Sequence, residues 1–192
     1  MHFKTLAQAA AMGLGATTIE SETMTKEERM SDLTSGAPKK EPPTEINQQA
    51  PVVGASEIEI AAAPEAVWEV LTAFERWPSW NRDVKSMTMQ GDVAPGAVFR
   101  WKAGPGTITS TIERVARPRL IAWTGRTLGI KAIHYWHLEP RNGKTFVRTE
   151  ESYEGLVARL FRRSLRKTID RALADGLRYL RTEVEHRTTP ET

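Results

Sequence analysis

Few side chains here can do chemistry near neutral pH. The 192 residues include no cysteine and four histidines, at positions 2, 134, 137 and 186. Thiolate metal sites, disulfides and cysteine nucleophiles are therefore excluded. Asn142-Gly143, flanked by alternating apolar and polar residues, predicts a two-residue hairpin that pairs Arg141 with Lys144. Counting back from that turn sets Leu138 opposite Val147, Trp136 opposite Thr149, and His134 opposite Glu151. An imidazole and a carboxyl group directly across two strands are close enough to hydrogen-bond. Such a pair can move a proton in an aldol or dehydration step. It can equally be a satisfied buried hydrogen bond that orients the sheet or the polar head of a ligand. By strand parity His137 points to the other face, so His134 stands alone and makes no metal site. No Gly-x-Ser-x-Gly sequence occurs, and Ser110 has no assigned base. Gly104-Pro105-Gly106 joins two strands and lacks a following Lys-Ser/Thr, so it reads as a turn and not a phosphate loop. Neither a metal nor a nucleotide cofactor is expected, and nucleic acid is not an expected partner.

The elements that must position this pair follow from periodicity. Order is expected to begin near Ser56, where Glu57-Ile58-Glu59-Ile60 alternates as a half-buried strand does. Ala63-Pro64-Glu65 opens a helix with Pro and Glu in its first turn. Val67, Trp68, Leu71 and Phe74 form its apolar stripe. Trp77-Pro78-Ser79-Trp80-Asn81 interrupts that helix and makes a short second one. Turn signals then separate strands at 84–90, 97–103, 107–115, 119–127, 131–139 and 145–153. From Leu156 to about Arg187 the period becomes helical. Leu160, Phe161, Leu165, Ile169, Leu173, Leu177, Leu180 and Val184 form the stripe, with Arg159, Arg163, Arg166 and Arg178 largely off it. This order is α+β: a curved antiparallel sheet of about seven strands, covered on one face by the long last helix.

Successive hairpins predict which face looks inward. A turn at Gly129-Ile130 sets Trp123 across from Trp136 and Ile121 across from Leu138. The Arg117-Pro118 turn sets Ile112 across from Trp123. The Gly104-Pro105 turn sets Trp101 near Ile108 and Phe99 near Ser110. Each step keeps apolar with apolar, while Arg100, Lys102, Thr107, Thr109 and Thr111 fall on the opposite face. Three tryptophans on one face suit a lined cavity as well as a core.

The runs Ile-Ala-Ala-Ala-Pro-Glu-Ala-Val-Trp-Glu-Val-Leu (60–71), Trp-Pro-Ser-Trp-Asn (77–81), Pro-Gly-Ala-Val-Phe-Arg-Trp (95–101), Leu-Glu-Pro (138–140) and Glu-Ser-Tyr-Glu-Gly (151–155) carry a resemblance. Over residues 56–187 the chain resembles the SRPBCC (START/Bet v 1-like) superfamily, in its polyketide cyclase/dehydrase-like branch. The resemblance implies a helix-grip fold with a deep hydrophobic cavity. It implies binding of lipids, sterols, quinones, hormones or polyketides, with cyclisation or dehydration in a minority of members. It carries no shared catalytic signature. The expected function is binding of a small hydrophobic ligand, of lipid, polyketide or aromatic type, between sheet and C-terminal helix. The expected ligand-binding residues are Trp80, Phe99, Trp101, Ile108, Ser110, Ile112, Trp123, His134, Trp136, Thr149, Glu151, Tyr153, Leu173 and Leu177. One alternative is a cyclase or dehydrase with His134 and Glu151 as acid and base. Another is a protein-interaction module similar to Hsp90 co-chaperone domains, using the basic helix.

Charge and composition divide the chain. Residues 1–53 carry five Lys/Arg against seven Asp/Glu, and 36–51 hold almost no large apolar residue. They read as an unstructured tail, followed by the domain at 54–187 and a short tail at 188–192. Leu6 to Ala16 resembles a weak export signal, and Met24 and Met30 are alternative starts. A cytoplasmic location is the main expectation, with export the minor one. No run of 18 apolar residues occurs. The segment 156–187 holds nine basic and four acidic residues. That excess reads as a solvated helix face, or as a contact for an anionic partner. The sequence sets no oligomeric state.

Overall fold

In the computed structural model, residues 42–104 and 106–189 are described. Alternation of apolar and polar side chains produces seven strands: β1 (Val52–Ile60), β2 (Val84–Met89), β3 (Val98–Ala103), β4 (Gly106–Ala116), β5 (Leu120–Thr127), β6 (Ile130–Arg141) and β7 (Lys144–Glu154). They form one antiparallel sheet in the order β1-β7-β6-β5-β4-β3-β2. β2 to β7 are a meander, and β1 closes beside β7. Between β1 and β2 lie helix α1 (Pro64–Thr72), a 3₁₀ turn (Phe74–Arg76) and α2 (Trp77–Trp80). Pro64 at the start of α1 sits where its missing N–H costs nothing. After β7 come α3 (Leu156–Leu160) and the long α4 (Arg162–Thr188). This is the α+β helix-grip architecture expected from the sequence.

The inner face of the sheet and α4 enclose two apolar clusters. The larger one joins Leu177, Leu180 and Val184 of α4 to Ile60, Val67, Trp68, Leu71, Phe74, Trp77, Phe99, Ile112, Trp123, Trp136, Leu138 and Val147. The smaller one holds Val52, Ala158, Ile169 and Leu173, with Tyr153 and Leu165 against it. α4 passes closest to the sheet at Gly54. A Cβ there would lie 3.0 Å from Ile169 Cγ2, so only glycine admits this crossing without a shift.

Several elements depart from the sequence reading. Around Asn142-Gly143 the register is the expected one, including His134 opposite Glu151. Between β5 and β6 it is two residues off: Trp123 faces His134, and Ile121 faces Trp136. The turn is Leu128-Gly129, both with positive φ (43° and 76°), as a two-residue hairpin loop of this twist requires. A leucine in that conformation gives no sequence signal. Because the slip is even, every side chain stays on its expected face. Ile112 opposite Trp123 holds, followed by a bulge before Arg114.

β1 begins at Val52, so the boundary expected at 54 falls inside a strand. Ile46 packs with Ala122 and Tyr135 on the outer face. The Tyr135 hydroxyl donates to the Pro43 carbonyl, and Asn47 Nδ2 donates to Glu154 Oε1 at 2.6 Å. A third, small apolar cluster therefore lies where a solvated face was expected. The readings of residues 1–41 lie outside the described residues. At the other end, α4 continues to Thr188. The single helix expected from Leu156 is broken at Phe161 (φ −110°, ψ 24°), and Leu160 and Phe161 are 68% and 58% exposed instead of joining the buried stripe.

Candidate functional site

Adjacent strands bring the polar residues together. His134 and Glu151 are cross-strand partners on β6 and β7, as are Trp136 and Thr149. His134 Nε2 lies 2.7 Å from Thr149 Oγ1. The Thr149 hydroxyl donates to the Tyr135 carbonyl at 3.2 Å, so its oxygen is left to accept from the imidazole. This assigns the proton of neutral His134 to Nε2 and leaves Nδ1 with a lone pair. Nδ1 stands 3.6 Å from Glu151 Oε1 and has no hydrogen-bond partner among the described residues. On the far side, the Tyr153 hydroxyl donates to Glu151 Oε2 at 3.1 Å. The result is a row of polar groups, Tyr153, Glu151, His134, Thr149 and then the backbone, hydrogen-bonded except across the 3.6 Å gap between Glu151 and His134.

Burial decides the charge of this string. It lowers the His134 pKa to about 3. It raises Glu151 to about 8, against a smaller pull downward from the Tyr153 hydroxyl. Tyr153 is pushed up by burial and by Glu151 beside it. At neutral pH the pair is thus uncharged, an acid hydrogen on Glu151 facing a basic nitrogen on His134. The alternative, an ion pair, would desolvate two charges for one contact.

Aromatic rings frame the string. His134 lies 4.8 Å from Trp123 and stacks on Trp136 at 5.5 Å. Trp123 meets Phe74 and Phe99 edge-on at 5.8 and 5.7 Å. Of the residues expected to line a cavity, Trp80, Phe99, Ile112, Trp123, Trp136 and Leu177 are buried in the larger cluster. Trp101 is half-buried there and donates from Nε1 to Ser110 Oγ at 3.1 Å. Ile108 is half-buried opposite Trp101. Leu173 belongs to the smaller cluster, as does Tyr153 at its edge. The polar string therefore runs along the seam between the two apolar clusters. Two open depressions, of about 680 and 330 Å³, lie elsewhere: one by Glu59, Lys144, Arg181 and Glu185, the other along Arg126 to Lys131.

The sequence reading missed two parts of this frame. Phe74 and Trp77 belong to it; Trp77 donates from Nε1 to the Leu71 carbonyl at 2.8 Å. Phe74 was read as part of the first helix's apolar stripe and Trp77 as part of the short second helix, neither as facing the polar pair. The indole N–H groups of Trp80 and Trp136 are buried without a partner among the described residues. Within the same limits, no three His, Cys, Asp or Glu side chains gather as a metal would require.

A seven-strand grip with a buried polar seam is matched by a family model for polyketide cyclase/dehydrase and lipid transport proteins over residues 52–185, more than half of the chain. The chain belongs to that family. Solved structures with the same fold include an aromatase/cyclase from a Streptomyces species (17% identity, TM-score 0.64, covering 71% of this chain and 95% of that one). A START superfamily protein from Mycobacterium smegmatis is similar at 17% identity and TM-score 0.63, over 71% of this chain and 99% of its own. A hypothetical protein from Helicobacter pylori matches at 16% identity and TM-score 0.63, over 78% and 95%. At such identities the likeness is one of fold. No curated protein matches the chain.

Proposed function

We propose that the protein binds a small hydrophobic molecule with a polar head, the head meeting His134 and Glu151 and the body lying between the two apolar clusters. The unpartnered Nδ1 of His134, buried 3.6 Å from Glu151 Oε1, carries this reading. A buried acceptor without a hydrogen bond costs about 1–3 kcal/mol, and a ligand hydroxyl seated beside it removes that cost. The indole N–H of Trp136, on the ring stacked against His134, is likewise buried without a partner among the described residues. Family membership supports an apolar ligand class, and an aromatase/cyclase shares the fold. Because the rings are packed against one another, the ligand must displace side chains as it enters. Titration with an apolar fluorophore should quench or shift tryptophan emission. His134→Gln with Glu151→Gln should keep the fold while weakening ligands that carry a hydroxyl more than those that do not. Equal weakening of both kinds would refute polar anchoring by this pair.

A second reading rests on the proton arrangement. Glu151, raised to about 8, can exchange a proton near neutral pH, whereas His134, lowered to about 3, stays unprotonated and orients the groups around it. If a polyketide-like substrate is turned over, Glu151→Gln should lower the rate about 10²–10⁴-fold with little change in binding.

A further inference from the structure

Of the five large apolar residues most exposed among the described residues, all but Val98 on β3 gather at one end of the sheet. Leu128 at the β5–β6 turn is 65% exposed, Leu156 and Leu160 of α3 are 70% and 68% exposed, and Phe161 is 58% exposed. They share that end because the turn abuts α3. A side chain on Gly155 would collide with the Gly129 carbonyl, and a Cβ on Gly129 would touch Val157 Cγ2 at 3.4 Å. α3 is held from below by Ala158, which is buried with Val52, Ile169 and Leu173. Its outward side is left to Leu156 and Leu160. Scattered exposed leucines are ordinary, but four large apolar side chains at one end are not.

Positive charge predominates around this patch. Arg159, Arg162, Arg163, Arg166 and Lys167 are all exposed, and no acidic residue occurs from 156 to 169. Arg126 and Lys131 flank Leu128 and are exposed as well. Arg166 pairs with Asp170 at 3.4 Å. Among the described residues no carboxylate pairs with Arg126, Lys131, Arg159, Arg162, Arg163 or Lys167. Glu154 on β7, the strand partner of Lys131, is the one carboxylate among the described residues at the edge of the patch and accepts from Asn47 Nδ2.

We propose that this end docks on the surface of an anionic lipid bilayer. Leu128, Leu156, Leu160 and Phe161 enter the headgroup–acyl boundary, and the basic ring meets the phosphates and carboxylates around them. A bilayer supplies apolar depth and negative charge together, which is what an amphipathic basic segment requires. A nucleic acid would satisfy the arginines and leave the leucines wet. Docking also places the smaller cluster, and Tyr153 at its edge, directly behind the bound face.

Flotation of the full chain with vesicles tests this. Vesicles of phosphatidylcholine with about a third phosphatidylserine should bind at least about tenfold more tightly than phosphatidylcholine alone, with binding lost at high salt. Replacing Leu156, Leu160 and Phe161 together by Ser should lower binding to anionic vesicles at least about tenfold while the melting temperature holds, since these side chains are exposed. Arg162→Gln, Arg163→Gln and Lys167→Gln together should bring anionic binding down to the neutral level. No vesicle binding, equal binding to both vesicle types, or binding that neither set of substitutions alters overturns the proposal. So does a self-associated species that the Leu160→Ser chain loses, or single-stranded RNA bound in place of vesicles.

Discussion

At the residue scale, the His134–Glu151 pair makes stability depend on pH in a way that two variants can separate. In the unfolded chain these groups titrate near 6.5 and 4.5, and in the folded chain near 3 and 8. Between pH 4.5 and 6.5 each state holds one proton, on His134 when unfolded and on Glu151 when folded, so the pair contributes no slope. From pH 6.5 to 8 the folded chain holds one proton more, and stability falls as pH rises, by about 2 kcal/mol. From pH 4.5 down to 3 the unfolded chain holds one more, and stability falls as pH drops. Glu151→Gln should abolish the alkaline loss and start the acid loss already at pH 6.5. His134→Gln should abolish the acid loss and start the alkaline loss at pH 4.5. Urea denaturation of the three proteins across pH measures this, and superimposable curves would show that the pair is neither buried nor neutral as described. The pair was legible in the sequence because Asn142-Gly143 fixes its register. Its charge state was not, since no residue pattern states whether burial or a charged neighbour dominates a pKa.

At the element scale, legibility followed turn chemistry. Hairpins whose turns contain Asn-Gly or Gly-Pro-Gly gave the right partners. The one built on Leu128-Gly129 did not, because a leucine at positive φ is set by the surrounding sheet and not by its own preference. The break at Phe161 was equally hidden, for no Pro or Gly marks it. The apolar period ran on through Leu160 and Phe161 even though the helix that carried it turned away from the core. Gly54 shows the opposite case. It looked like the loose edge of a linker, yet it is the point at which α4 crosses β1, with Ile169 and Asp170 Oδ1 at 3.0 and 3.2 Å from its virtual Cβ. Gly54→Val should therefore cost about 1–3 kcal/mol by overpacking, read as a lower urea midpoint. An unchanged midpoint would mean that the helix rides free of the strand at this position.

At the scale of the whole molecule, composition separated an acidic, apolar-poor N-terminal stretch from the rest, but it could not show that the last dozen residues of that stretch fold onto the sheet. Ile46 is a single apolar residue among polar ones, and Val52 and Val53 come at the very end of the stretch, so a compositional average hides them. Ile46 is 4% exposed on the outer face, and Val52 is fully buried against Ile169 and Leu173 on the inner one. Two truncations separate these contributions. A chain beginning at Pro42 keeps both residues, the Tyr135–Pro43 bond and the pairing of Val52 with Tyr153. A chain beginning at Gly54 loses all of these. At about 1.5–3 kcal/mol for each fully buried aliphatic side chain, the second should be less stable than the first by about 3–6 kcal/mol. Its thermal midpoint should drop accordingly. The loss should also reach the polar seam, because Val52 is the strand partner that holds Tyr153 against Leu173, and Tyr153 in turn donates to Glu151. The chain from Gly54 should then bind an apolar fluorophore more loosely even under conditions where it remains folded. Equal melting and equal binding by the two chains would show that residues 42–53 only overlie the sheet and take no part in shaping the site.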